Sequence, residues 1–184
     1  MKATDELRKE HEGIELMLQV LQAVSTKVEH GEEIQAAHFD GILEFLSIFV
    51  DQCHHGKEEE FLFPAFESAG AGRDRDLIVV LIKEHEQGRE LVARLKDAVK
   101  RWRSGEKAGE GSVKNTLDDY ARLLTQHIVK ENTHLFPMVE MKLDSEMDSR
   151  LFEAFEKLET ERIGLGKHEK FHELLHRLRD TYLT

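Results

Sequence analysis

The feature that most constrains this chain is an internal repeat. Lys9-Glu10-His11-Glu12 returns unchanged as Lys83-Glu84-His85-Glu86, and His54-x-x-x-Glu58-x-x-x-Leu62-Phe63-Pro64 returns as His127-x-x-x-Glu131-x-x-x-Leu135-Phe136-Pro137. The step from His11 to His85 is within one position of the step from His54 to His127, so the two matches fall almost in register. A repeat of this kind is one supersecondary unit whose open face is covered by its copy.

The unit is helical. Leu7, Ile14, Leu18, Leu21 and Val28 form an apolar stripe at helical spacing, which predicts a first helix from about residue 4 to about residue 29 with Thr4 as N-cap and His30-Gly31 as its stop. A second run goes from about Glu33 through Phe39, Ile42, Phe45 and Phe49 to Leu62, with Pro64 bending or ending it and Gly70-Ala71-Gly72 forming the turn. The third starts near Asp74 and reaches Trp102 before Ser104-Gly105. Lys107 to Gly111 reads as a loop, and a fourth helix runs from about Ser112 towards Pro137 and beyond. Two more follow, from about Ser145 to Arg162 and from about Lys167 to Tyr182. No strand signal occurs. The expectation is an all-α protein: an up-down four-helix bundle over 1–141 and a two-helix extension over 142–184 packed on it.

Residues four apart on a helix differ by roughly 40° in direction and about 6 Å in height, so His54 and Glu58 share a face, as do His127 and Glu131. Apolar Leu46, Val50 and Leu124 lie on that side, while Lys57 and Lys130 are rotated away, so the pairs point inward. A carboxylate carried into a bundle interior needs a partner. Height gives an independent check. From His11 to the first turn is about 19 residues, roughly 28 Å of helix, and the return to His54 is about 20 residues, roughly 30 Å. For His85 and His127 the counts are about 16 residues against about 12 and about 19 against about 15, differences that turn residues can absorb. Four imidazoles and two carboxylates form a mixed N/O set that suits iron or manganese, with zinc possible. Two carboxylates can bridge two ions, each then taking two histidines, with positions left for water, O₂ or another small ligand.

The order His, His-x-x-x-Glu, His, His-x-x-x-Glu, with Leu-Phe-Pro after each pair, resembles the hemerythrin-like HHE cation-binding family. The resemblance covers roughly residues 1–141. It implies a four-helix bundle around two non-haem iron ions, held by His11, His54, Glu58, His85, His127 and Glu131, that binds O₂, NO or peroxide in sensing, detoxification or iron handling. Oxygen-carrying members have a second histidine where this chain has Arg89, and an aspartate at five-residue spacing where it has Glu131 at four. The ligand set is closer to that of hemerythrin-like proteins linked to iron–sulfur repair.

Other residues bear on this site. His55 and Glu59 also satisfy the four-residue spacing, but the Leu-Phe-Pro alignment selects His54 and leaves His55 beside the site or at the surface. His134, seven after His127, is a candidate fifth histidine, and His168 is a candidate to reach the centre from the last helix. Tyr120 is expected in the core, with a place above the site as the alternative. His168-Glu169-Lys170-Phe171-His172 matches the H-E-x-x-H zinc-protease pattern, so a zinc-dependent hydrolase is one alternative function. A helical interaction module with a structural metal is another. The side carrying His168, His172, Leu175 and His176 is expected to pack over the bundle mouth.

Composition narrows the remaining classes. A net charge of −11 over 184 residues opposes nucleic acid or anionic membrane as the main partner. Cys53 is the only cysteine, so no disulfide or cysteine-built cluster forms within one chain. No long uncharged apolar run and no apolar leader are read in the sequence, so a cytoplasmic location is expected.

Overall fold

The computed structural model describes residues 1–70, 72, 75–164 and 166–183. Six helical rods form, with no strand among the described residues. Rod α1 is Lys2–Glu29. Rod α2 covers 36–68, with α-helical ends, Ala36–Glu44 and Phe63–Ser68, flanking π-helical stretches at Phe45–His55 and Glu58–Leu62. Rod α3 is Arg75–Arg103. Rod α4 covers 107–142: Lys107–Lys130, a π turn at Glu131–Leu135, then Phe136–Lys142. Rod α5 covers 145–163 and α6 is Lys167–Tyr182.

Rods α1 to α4 form the bundle, α4 lying along both α1 and α3; α5 and α6 pack on α1 and α2. The side of α6 that packs is Phe171, Leu174, Leu175 and Leu178, whereas His172 and His176 are exposed. This corrects the expected histidine-lined face. Each of those apolar side chains contributes roughly 1.5–3 kcal/mol on burial, which fastens the extension.

Several boundaries differ from the sequence reading. Thr4 lies inside α1 and caps nothing; its buried hydroxyl donates to Glu140 Oε1 at 2.6 Å, tying α1 to α4. Rod α4 begins at Lys107, where a loop was expected, because Gly109 sits against α3: a Cβ there would lie 2.5 Å from the Trp102 backbone nitrogen. The positions Ala71 and Asp74 of the second turn lie outside the described residues.

Neither proline ends its rod. Proline lacks an N–H and crowds the carbonyl four residues earlier, which an α-turn cannot absorb without a kink. Here the turn before each one widens: the Phe63 N–H bonds to Glu58 O and the Phe136 N–H to Glu131 O, five residues back. Each π turn therefore begins at one of the repeated glutamates.

Two apolar clusters fill the bundle. The larger includes Ile14, Leu18, Leu21, Phe45, Phe49, Leu117 and Leu124. The smaller, at the proline end, includes Leu7, Leu62, Phe63, Leu81, Leu135 and Phe136. Between them lies a layer of buried polar side chains.

Candidate metal centre

That layer holds His11, His54, Glu58, His85, His127 and Glu131, each no more than 1 % exposed. The height match inferred from helix lengths is thus realised in space. His11 Nε2 lies 3.0 Å from His54 Nε2, and His85 Nε2 lies 3.0 Å from His127 Nε2. Within each pair the ring centroids are 4.7 Å apart and the planes cross at 61° and 65°. Two rings radiating at right angles from one ion, with metal–nitrogen bonds of about 2.1 Å, would stand roughly 4.5 Å apart. Both pairs fit that arrangement.

The carboxylates lie between the pairs. Glu58 reaches His54 (3.8 Å) and His85 (3.4 Å), and Glu131 reaches His11 (3.1 Å) and His127 (3.0 Å). Each glutamate therefore touches both halves of the repeat. The result is two overlapping groups, His11–His54–Glu58–Glu131 and Glu58–His85–His127–Glu131, in each of which one ligand atom per residue lies within 4.8 Å of the others.

The outer ring nitrogens show how the set could hold cations. His54 Nδ1 donates to Glu10 Oε2 (2.8 Å), His127 Nδ1 to Glu84 Oε2 (3.0 Å), His85 Nδ1 to Glu59 Oε1 (2.7 Å) and His11 Nδ1 to Asn132 Oδ1 (2.9 Å). Carboxylate and amide oxygens accept here, so each ring carries a proton on Nδ1 and turns its Nε2 inward. All four oxygens of Glu58 and Glu131 are also buried without a hydrogen-bond partner. Ring nitrogens and carboxylate oxygens crowded into a water-poor layer satisfy one another poorly; divalent ions between them would engage both.

Charge states follow the same logic. Burial, and then the neighbouring Glu131, holds the Glu58 carboxyl well above the usual range. Against the cost of burial, His127 and His11 hold Glu131 well below it. Burial, followed by the neighbouring His127, lowers His85 to about 3, and burial with His11 lowers His54 strongly. His127 moves the other way, up to about 9, because Glu131 and Glu84 outweigh burial.

The supporting residues were the part the sequence reading missed. Lys57, rotated away from the ligand face, is nonetheless fully buried: its ammonium donates to Glu10 Oε1 at 2.6 Å and also to Glu159 of α5. Against the cost of burial, Glu10 and Glu159 hold its pKa above the ordinary lysine value. Lys130 likewise donates to Glu84. The signal was present in the repeat. Glu10 and Glu84 precede the first histidine of each half, Lys57 and Lys130 sit three residues after the second, and Glu59 and Asn132 follow the glutamates.

The remaining candidates do not join these groups. His134 is exposed and bonded to Thr133 Oγ1, because the π turn at Glu131–Leu135 inserts a residue between it and His127 and rotates it off the inner face. His168 lies beside Glu10, Glu159 and Phe49, away from the glutamate pair. His172 is exposed, and among the described residues the H-E-x-x-H pair gains no third ligand. Tyr120 is buried in the core. His55 is not at the surface: it is 2 % exposed, stacks on His85 at 3.7 Å and 13°, and with His85 and His127 forms a third group of nitrogens close enough together to hold an ion.

A helix bundle with two histidine pairs joined by two carboxylates is the architecture of a metal-binding protein. The family Hemerythrin HHE cation binding domain matches residues 2–139, and the chain belongs to it. Similar proteins include uncharacterized proteins of Mycobacterium bovis and of two strains of Mycobacterium tuberculosis, each 23 % identical over 162 residues, covering 88 % of this chain and 63 % of the relative. The chain thus spans under two thirds of those proteins' length. No solved structure matches it significantly. No helix among the described residues is long and apolar enough to cross a membrane.

Proposed function

We propose that the chain is a non-haem di-iron protein that binds O₂, NO or peroxide, in sensing, detoxification or iron handling, including iron–sulfur repair. The observation that carries the reading is the crowding of four inward-facing Nε2 atoms around two carboxylates whose oxygens have no hydrogen-bond partner. His11 and His54 would hold one ion, His85 and His127 the other, and Glu58 and Glu131 would bridge. An N/O set without thiolate favours iron or manganese, with zinc as the competitor. Bound iron would supply reversible coordination and one-electron chemistry. The protein's own residues fix the rest. Glu10, Glu84, Glu59 and Asn132 orient the four rings and set their tautomer, and Leu62, Phe63, Leu135 and Phe136 exclude water from the proline end. The reading includes a cytoplasmic setting, which rests on the sequence alone.

Metal analysis of anaerobically purified protein, followed by optical spectra on exposure to air, NO and peroxide, tests it. About two irons per chain and new charge-transfer bands are expected. A single zinc that survives His54→Ala and His127→Ala but is lost with His172→Ala would overturn the reading in favour of a hydrolase. Metal-dependent stability with no spectral response to the three ligands would leave only a structural metal.

A further inference from the structure

The rings of His11, His54, His85 and His127 are all tied down at Nδ1, but His55 is not. It is buried, yet both of its ring nitrogens lack a hydrogen-bond partner, and the Asp51 carboxylate beside it stands 3.6 Å away. A buried imidazole left without partners is costly, which asks what it is kept for. Its packing sets it apart from the two histidine pairs. Its centroid is 3.7 Å from that of His85 in a nearly parallel stack, whereas the rings of each histidine pair splay at 4.7 Å. Still, one of its nitrogens lies within 4.8 Å of ligand nitrogens of His85 and His127.

His55 also forms the inner wall of a cavity of about 260 Å³ between α2, α3 and α4. A water's share of liquid volume is about 30 Å³, so the space admits a molecule of several heavy atoms. Its walls mix apolar Leu46 and Val92 with Tyr120, Asp51 and Arg89, and Lys96 stands at the exposed rim. Arg89 is committed, donating to Asp51 at 2.7 Å and Glu59 at 2.6 Å. Gly88 makes the room: it is buried on α3, and a Cβ there would approach only Leu124 and Tyr120, at 3.8 and 3.9 Å. On the side of the other pair, Lys57, Glu10 and Glu159 are joined in one bonded cluster against His54.

We infer that this cavity is the port of the centre, and that His55 is a positioning residue which donates a ring N–H to a small hydrogen-bond-accepting ligand, of two or three heavy atoms, arriving at the His85–His127 side. The inference rests on the proposed di-metal reading. It narrows that reading: entry is one-sided, and the two metal positions are unequal.

Azide binding to iron-loaded, air-oxidised full-length protein, followed optically at equilibrium and by stopped flow, provides the test. Gly88→Leu fills the port without touching a ligand. It should retain wild-type iron and slow both association and dissociation of azide at least tenfold, leaving Kd nearly unchanged. Ala93→Trp, at the exposed mouth, should do the same more weakly and covers the case in which Gly88→Leu fails to fold. His55→Phe keeps the stacking ring but removes the donor. It should retain iron and weaken azide about tenfold, through faster dissociation. Loss of iron in the wild-type protein would sink the di-metal reading itself. Normal iron with azide kinetics and affinity indifferent to all three substitutions would overturn the port and the role of His55 alone.

Discussion

The two halves of the repeat present the same ligands on opposite terms. In the first half, the partner of His54 is Glu10, which is held by a lysine with no exposed surface and roofed by Glu159 from the extension. In the second, the partner of His127 is Glu84, held by Lys130, whose side chain is 34 % exposed. The first pair is backed by its buried cluster, whereas the second lies behind His55, which lines a cavity. The supports also differ in charge: His85 leans on the Glu59 carboxylate, itself clamped by Arg89, while His11 leans on the neutral amide of Asn132. Matching ligands therefore do not make matching sites. A carboxylate behind an imidazole raises its basicity, so the ion between His85 and His127 would be the more strongly donated of the two.

The largest test of this comparison is on what the halves share. Glu131→Ala should lose both ions, because the carboxylate touches His11 and His127 alike, whereas His54→Ala should spare the ion of the other half; metal content per chain after desalting reads the difference. Retention of one full equivalent in Glu131→Ala would show that the halves bind independently. Next come the lysines. Lys57→Met leaves the Glu10 carboxylate buried without its cation and should destabilise the metal-free protein by about 3–5 kcal/mol, against about 1 kcal/mol or less for Lys130→Met at its partly exposed site, in urea unfolding. Equal losses would remove the distinction between the two sides.

Smaller effects sharpen it. Glu59→Gln should weaken one of the two ions about 10-fold in a chelator competition, while Asn132→Asp should tighten or preserve the other. The smallest effect is expected on the surface of the extension. Arg162 makes two bonds to Glu60, at 2.6 and 3.0 Å, but the two side chains are 43 % and 45 % exposed. Arg162→Ala should therefore shift stability by less than about 1 kcal/mol. A larger loss would mean that this clamp, and not the apolar face of α6, holds the extension in place.

Much of this was legible in the sequence because two regular things coincide: helical spacing and the repeat. His54 with Glu58, and His127 with Glu131, share a face by simple rotation, and helix length alone brings His11 and His85 to their level. Some readings failed where the helix departs from regular winding, others where tertiary contacts decide. His134 follows His127 by seven positions, a same-face spacing only while the helix keeps about 3.6 residues per turn, and the π turn breaks that count. His55 was undecided for a related reason, since the π stretch Phe45–His55 lets adjacent histidines both face inward. The burial of Lys57 was not legible because a helical wheel of one rod cannot show that α5 covers its outer side. Lys107 to Gly111 read as a loop because glycine is a poor helix former on its own, and the close approach of Gly109 to Trp102 is visible only in tertiary structure.

The paired π turns also say something about ancestry. Glu58–Leu62 and Glu131–Leu135 are separated by the same length of chain that separates Pro64 from Pro137. One extra residue in a helix disturbs its hydrogen bonding, and such bulges gather where function retains them. Two separate insertions at equivalent places are a less economical history than one. A lone hairpin that already carried its wide turn, associating with an identical copy through an isologous contact, would have built both metal positions at once, with each glutamate reaching across the symmetry axis. Fusion of the copies into a single chain would then release the halves from symmetry, allowing one to be closed over by a later extension while the other kept an entrance.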